Sequence, residues 1–172
     1  RRGNFNGSWD QIICDALLEV KEAQISLSPG FRWGTSVMPG QTITFDDLMT
    51  QTAMTYPETY ARDIKGSEIK LILEDVADNL FNEDPFLQQG GDMVRTGGIS
   101  YKIDPKAKIG ERITNIVLSK TGEKLDANKS YKVAGWSTVG AQSEGEPIWE
   151  TVEIYLKNMK HISKIKIDTP DI

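Results

Sequence analysis

The groups in this chain best suited to chemistry lie together in Ser28-Pro29-Gly30-Phe31-Arg32-Trp33-Gly34. The segment follows a short apolar run, Ala23 to Leu27, and reads as a strand that breaks into a turn. Pro29 fixes one backbone torsion, while Gly30 and Gly34 permit turn geometries closed to other residues. Such a turn can hold the Arg32 guanidinium beside the Trp33 ring at the mouth of a sheet. A planar fork of donors next to a ring suits an oxyanion such as phosphate, sulfate or sulfonate. An ordinary loop whose arginine caps a carboxylate is the other reading the segment allows.

Further anion- and ring-binding candidates adjoin other turns. Arg95, and Arg1 or Arg2, stand next to glycine-rich or turn-like sequence, and Tyr56, Tyr60, Tyr101 and Trp136 lie near turns. Each aromatic can serve either as a binding surface or as core and rim packing. Gly97 and Gly98 follow Met93-Val94-Arg95-Thr96, and paired glycines mean close backbone approach, to a neighbouring element or to a bound peptide. Arg95 itself reads as a solvent-exposed loop charge.

The composition removes several other chemistries. With one His and one Cys in 172 residues, neither a zinc site nor a Ser-His-Asp or Cys-His arrangement can be assembled from this chain alone. Cys14 lies in an apolar helical pattern with nothing basic close by, as a buried, inert thiol does. His161 reads as a solvated or hydrogen-bonded side chain. The 90–98 stretch is not a Walker loop, because no Gly-Lys-Ser/Thr follows it. A net charge of −5 argues against a nucleic-acid partner, and the apolar runs are too short for a transmembrane helix. From composition and spacing, this is a binding domain for a small anion or an anionic group.

The elements that must hold these groups can be placed from periodicity. Ser8 and Gln11 form a capping-box pattern ahead of apolar positions 12, 13, 16, 17 and 20, which predicts a helix over about residues 9–22. A strand is expected over 23–28, and a helix begins after Thr44, with Asp47 in its first turn. Residues 54–61 are β-prone but contain Pro57, which indicates an edge strand or an irregular extended piece. After Gly66-Ser67, Ile69, Ile72, Leu73, Val76, Ala77 and Leu80 line one face of a helix. Strands are predicted over 99–103, 112–118 and 131–136, with Thr121-Gly122 as a hairpin signal. A polar loop over 140–147, a last helix over 149–159 and a terminal strand over 162–167 complete the pattern. Helices come early and strands cluster late, so the expected fold is α+β, a mixed β-sheet packed with helices, in a single domain over 1–172. The chain opens on Arg1 with no apolar signal segment behind it, which reads as a processed protein or a piece of a longer one.

Several of these segments carry a resemblance. Ile13-Cys14-Asp15-Ala16, the strand and turn ending in Arg32, Gly40-Gln41-Thr42-Ile43-Thr44 before a helix, Tyr56-Pro57-Glu58-Thr59 and Tyr131-Lys132-Val133-Ala134 resemble the C-terminal domain of the 5′-nucleotidase family. The 28–34, 54–60 and 88–95 segments look more specifically like the thiosulfohydrolase (SoxB) branch of that family. The resemblance implies the substrate-binding C-terminal half of a two-domain hydrolase. The N-terminal metallophosphoesterase-like half, absent from this chain, would carry two manganese ions, so the isolated chain would be inactive. It further implies a periplasmic enzyme that releases sulfate from a cysteine S-thiosulfonate on the SoxYZ carrier, with no nucleic acid or membrane partner. Metal-activated water in the other half would attack the terminal sulfur. In that picture Arg32, Trp33, Tyr56, Arg95, Gly97, Gly98, Trp136 and Arg2 bind substrate; none is catalytic and none ligates metal. Ser28-Pro29 replaces the nucleotidases' Asn- and Gly-rich turn, and Trp136-Ser137-Thr138 replaces their aromatic and Gly-Gly-Asp-Gly loop. Both departures favour a sulfonate over a nucleotide. A nucleotidase or related phosphomonoesterase, and a stand-alone binding module for the carrier arm, are the alternatives.

Overall fold

The computed structural model describes residues 5–30, 34–138, 143–163 and 165–172. At its centre is a mixed four-stranded sheet in the order β2-β6-β1-β3. Strand β1 (Ile25–Ser28) runs parallel to β6 (Ser130–Trp136). The outer strands β2 (Thr59–Lys65) and β3 (Arg95–Gly97) are antiparallel to their neighbours. All four residues of β1 are buried, as expected of an interior strand covered on both faces. Strand β2 is an edge that begins two residues after Pro57, whose missing N–H would interrupt a central strand.

The side-chain alternation of these strands feeds two cores. Ile25, Leu27, Ile64, Tyr131 and Val133 project towards α3 (Gly66–Phe81) and the two-stranded ribbon of β4 (Ile99–Ile103) and β5 (Ile113–Leu118). Ala134 and Trp136 project the other way, onto α1 (Ser8–Val20) and α4 (Ile148–Met159), with α2 (Phe45–Thr52) adding Leu48. Ile69, Leu73 and Ala77 of α3, spaced for one helical face, are fully buried. The α+β expectation therefore holds, with β3 as a strand the sequence pattern did not indicate.

Local departures have identifiable causes. Thr44 caps α2 as expected, accepting from the Asp47 amide (3.2 Å) while the Asp47 carboxylate accepts from the Thr44 amide (2.8 Å). The same pattern at Ser8 and Gln11 forms no cap; Gly7 is the N-cap. The Gln11 side chain accepts instead from Asn6 Nδ2 and from the Asp168 amide, both at 2.9 Å. Asn6 Nδ2 also donates to the Asp168 carbonyl (2.8 Å), so the C-terminal segment is bound to α1 through its backbone groups. The 162–167 segment accordingly forms no strand among its described residues; Ile162 and Ile165 pack on the α1–α4 core. The tail meets β4 through an isolated bridge, Lys102 with Asp171. Thr121-Gly122 does turn the chain, with the Leu118 amide bonded to the Glu123 carbonyl at 2.8 Å. The return pairs only at Val117–Lys124, and the next strand, β6, joins the other sheet.

Candidate functional site

Strand direction decides where a site can form. The parallel strands β1 and β6 end on the same edge of the sheet, at Ser28 and Trp136. The antiparallel strands β3 and β2 begin there, since Ser28 pairs with Arg95 and Thr59 with Trp136. Residues 29–30, 53–58, 92–94, 137–138 and 143–147 therefore lie along one rim, outside the carboxyl ends of the parallel strands, where open α/β sheets commonly bind ligands.

The rim is held by polar contacts from below. Arg95 is 0% exposed. Its Nε lies 3.2 Å from Asp10 Oδ2, and its Nη2 lies 3.1 Å from Asp92 Oδ2. Nη2 also donates to the Gly30 carbonyl (3.0 Å), and Nη1 to that of Met93 (3.4 Å). Trp136, 2% exposed, donates from Nε1 to Ser28 Oγ at 2.9 Å, tying the ends of β1 and β6 together. On the far side, Glu146 accepts from Lys21 Nζ (2.5 Å) and Thr151 Oγ1 (3.2 Å), and its carbonyl accepts from Thr59 Oγ1 (2.8 Å). The Lys21 hydrogen bond holds the Glu146 carboxyl below its usual range.

At the surface of the rim, Tyr56 is half exposed and sits at φ 59°, while Ser137 sits at φ 58° and donates from Oγ to the Thr55 carbonyl (3.2 Å). Left-handed backbone at non-glycine residues costs about 1–3 kcal/mol each and tends to collect at functional sites. Just inside, the Tyr60 side chain fills the space that a Cβ on Gly135 would need, and burial pushes its hydroxyl pKa up, against the opposing effect of Arg62.

The expected site residues separate into groups. Tyr56 stands on the rim. Arg32, Trp33 and Arg2 lie outside the described residues. Arg95 lies under the rim as part of β3, buried and ion-paired, which corrects its reading as an exposed loop charge. Trp136 also lies beneath it, with its ring in the α1–α4 core, so it offers no open face for substrate. Gly97 and Gly98 lie at the opposite end of β3. A Cβ on Gly97 would meet Ser26 Oγ at 2.4 Å and Cys14 Cβ at 2.9 Å; one on Gly98 (φ +78°) would meet the Gln24 carbonyl at 2.2 Å. Of the two readings these glycines allowed, their surroundings show close approach to neighbouring elements. Asp10 and Asp92 were missed; Asp92, three residues before Arg95, was the only local signal.

Cys14 is buried and His161 exposed, as expected. Among the described residues, no three His, Cys, Asp or Glu side chains are grouped to hold a metal ion. No helix among them is long and apolar enough to cross a membrane. A groove of about 310 Å³ lies between α1, the end of α4 and the tail, lined by Asp15, Tyr155 and Asp168, away from the rim loops.

The mixed sheet packed with helices is the fold of the 5′-nucleotidase C-terminal domain, and the chain belongs to that family, whose model matches residues 6–151. Among solved structures it is similar to the Thermus thermophilus sulfate thiohydrolase SoxB, at 35% identity and a TM-score of 0.87 over 98% of this chain. It is also similar to a 5′-nucleotidase precursor from Thermus thermophilus (21% identity, TM-score 0.74, 94% of this chain). A third is the NAD nucleotidase of Haemophilus influenzae (18%, 0.71, 94%). The last two share the fold. The chain spans only about a third of each protein, 32%, 34% and 32% respectively. No curated protein sequence matches it.

Proposed function

We propose that residues 1–172 are the substrate-binding C-terminal half of a two-domain, SoxB-type thiosulfohydrolase that releases sulfate from a cysteine S-thiosulfonate on the SoxYZ carrier in the periplasm. The observation that carries this reading is the 35% identity to a sulfate thiohydrolase along nearly the whole chain, against 21% to a nucleotidase of the same fold. The rim supports it. A nucleobase sandwich needs two open rings, and Trp136, at the end of β6, is 2% exposed and hydrogen-bonded inward.

In this reading the two manganese ions belong to the other half, where they would supply Lewis-acid chemistry. This chain's part is binding and orientation: Arg32 takes the sulfonate oxygens, and Trp33 and Tyr56 shape a slot for the carrier's extended arm. A charge-assisted hydrogen bond to an oxyanion contributes about 1.5–3 kcal/mol, so Arg32→Ala in the full-length protein is expected to lower turnover by about one to two decades. The test is to assay the full-length protein with carrier-bound thiosulfonate and with AMP. Release of sulfate but not of phosphate supports the reading. Preferential hydrolysis of AMP would replace it with a nucleotidase. Arm binding without turnover of either would replace it with a binding module.

A further inference from the structure

We infer that Arg95 is a positioning residue for the anion site, holding the Gly30 carbonyl two residues before Arg32 in the sequence; this rests on the reading that Arg32 binds the substrate's anionic group. The argument starts from burial. A guanidinium with no exposed surface is costly unless its donors are met. Arg95 is compensated by ion pairs with two carboxylates, Asp10 from α1 and Asp92 from the loop before β3, and it donates to two backbone carbonyls, those of Gly30 and Met93.

Stability alone does not call for this arrangement, because well-packed apolar residues often replace a buried ion pair at no loss. An apolar residue cannot hold a carbonyl oxygen at a fixed place. The Gly30 carbonyl is two residues before Arg32, and the same Nη2 that binds it is fixed from the other side by Asp92. Gly30 itself lies flat on the neighbouring loop: a Cβ there would come within 2.3 Å of the Met93 carbonyl oxygen and 2.8 Å of Asp92 Cβ. Helix α1, the 92–93 loop and the exit of β1 thus meet at one planar cation. Moving that cation moves the Gly30 carbonyl.

The test uses the full-length protein with Arg95→Met, Arg95→Lys, Arg32→Ala and the double variant Arg32→Ala/Arg95→Met. KM for carrier-bound thiosulfonate and the inhibition constant for sulfate are measured alongside Tm. Misplacing a binding group by about an ångström costs about ten- to a hundredfold. Arg95→Met is expected to raise both constants by that amount, Arg95→Lys to restore part of it, and Arg95→Met to add nothing once Arg32 is alanine. Effects that multiply in the double variant, or a lower Tm with KM unchanged, would overturn the inference. If Arg95→Met does not fold, Asp92→Asn, which keeps the Asp10 contact, carries the same comparison. If the wild-type protein hydrolyses AMP instead, the thiosulfonate reading fails, and the cycle is run with AMP and phosphate. If it turns over neither, amide hydrogen exchange at Gly30 decides: faster exchange in Arg95→Met, with α3 unchanged, supports positioning, and equal exchange refutes it.

Discussion

Gly97→Val separates two explanations of the glycine pair that follows Arg95. If the glycines present a bare surface to the carrier arm, valine should weaken handling of protein-bound substrate and leave the fold intact. The structure leads to a different expectation. The first neighbour a Cβ would meet, Ser26 Oγ at 2.4 Å, can rotate away, but the second, Cys14 Cβ at 2.9 Å, is fixed to helix α1, and Leu18 Cδ1 stands behind at 3.2 Å. Three added carbons must therefore push α1 off β3. Overpacking of this kind costs about 1–3 kcal/mol, sometimes more, and the rigid helix places this site at about 3 kcal/mol. Unfolding entropy is about 2.1 cal/mol/K per residue, or about 0.36 kcal/mol/K for this chain, so Tm should fall by about 8 °C. Gly97→Ala should produce a smaller fall in the same direction. Calorimetry of the 172-residue chain measures both, and KM for the carrier substrate is compared in the full-length protein. Unchanged Tm with weakened handling of the carrier substrate would refute the packing argument and return the glycines to the binding surface.

Glu74, 2% exposed, accepts from the amides of Gly110 (2.9 Å), Arg112 (3.3 Å) and Ile113 (2.7 Å). Glu74→Leu strands those donors and should lower stability by about 3 kcal/mol or more in urea unfolding, with Glu74→Gln between it and wild type; equal midpoints would show that the loop finds other partners. Burial, with Asp168 and Glu19 nearby, pushes the Asp15 carboxyl above the ordinary 3.8, and burial does the same at Asp168. The folded state then binds more protons than the unfolded one, so their contribution to stability is present below that ordinary value and is lost as pH rises through the raised pKa values. Asp15→Asn should raise Tm at neutral pH and bring no gain in acid; a difference from wild type that does not vary with pH would contradict this. Titration calorimetry with manganese should show no stoichiometric, sub-micromolar site on this chain, and finding one would contradict the division of labour between the two halves.

How much could be read from the sequence depended on how far apart the interacting groups lie. The Thr44–Asp47 cap was legible because both partners sit within one helical turn. Ser8 and Gln11 have the same spacing, but Gln11 is recruited by Asp168, 157 residues away, and no local rule could have detected that competitor. The alternating strands 99–103 and 131–136 were legible because period two is a local property. Arg95 shows the opposite limit. Its glycine-rich flank has the composition of an exposed loop, while the carbonyl that fixes its role belongs to Gly30, 65 residues earlier. The close approach at Gly97 and Gly98 was correctly read from residue type, but what approaches them, α1 and Gln24, is set by tertiary packing.

The same distinction bears on specificity at the rim. In the sequence, Trp136 looks like a ring at the end of a strand and beside a polar loop, as a stacking platform would. In the structure its Nε1 has a partner on β1, Ser28, so turning the ring outward would break a buried hydrogen bond and open the α1–α4 core. The indole therefore braces the ends of β1 and β6 instead of facing substrate. With Arg95 beneath the neighbouring turn, the rim's buried polar groups are spent on fixing backbone positions around the mouth, and half-exposed Tyr56 is the aromatic among the described candidate site residues left open to a ligand.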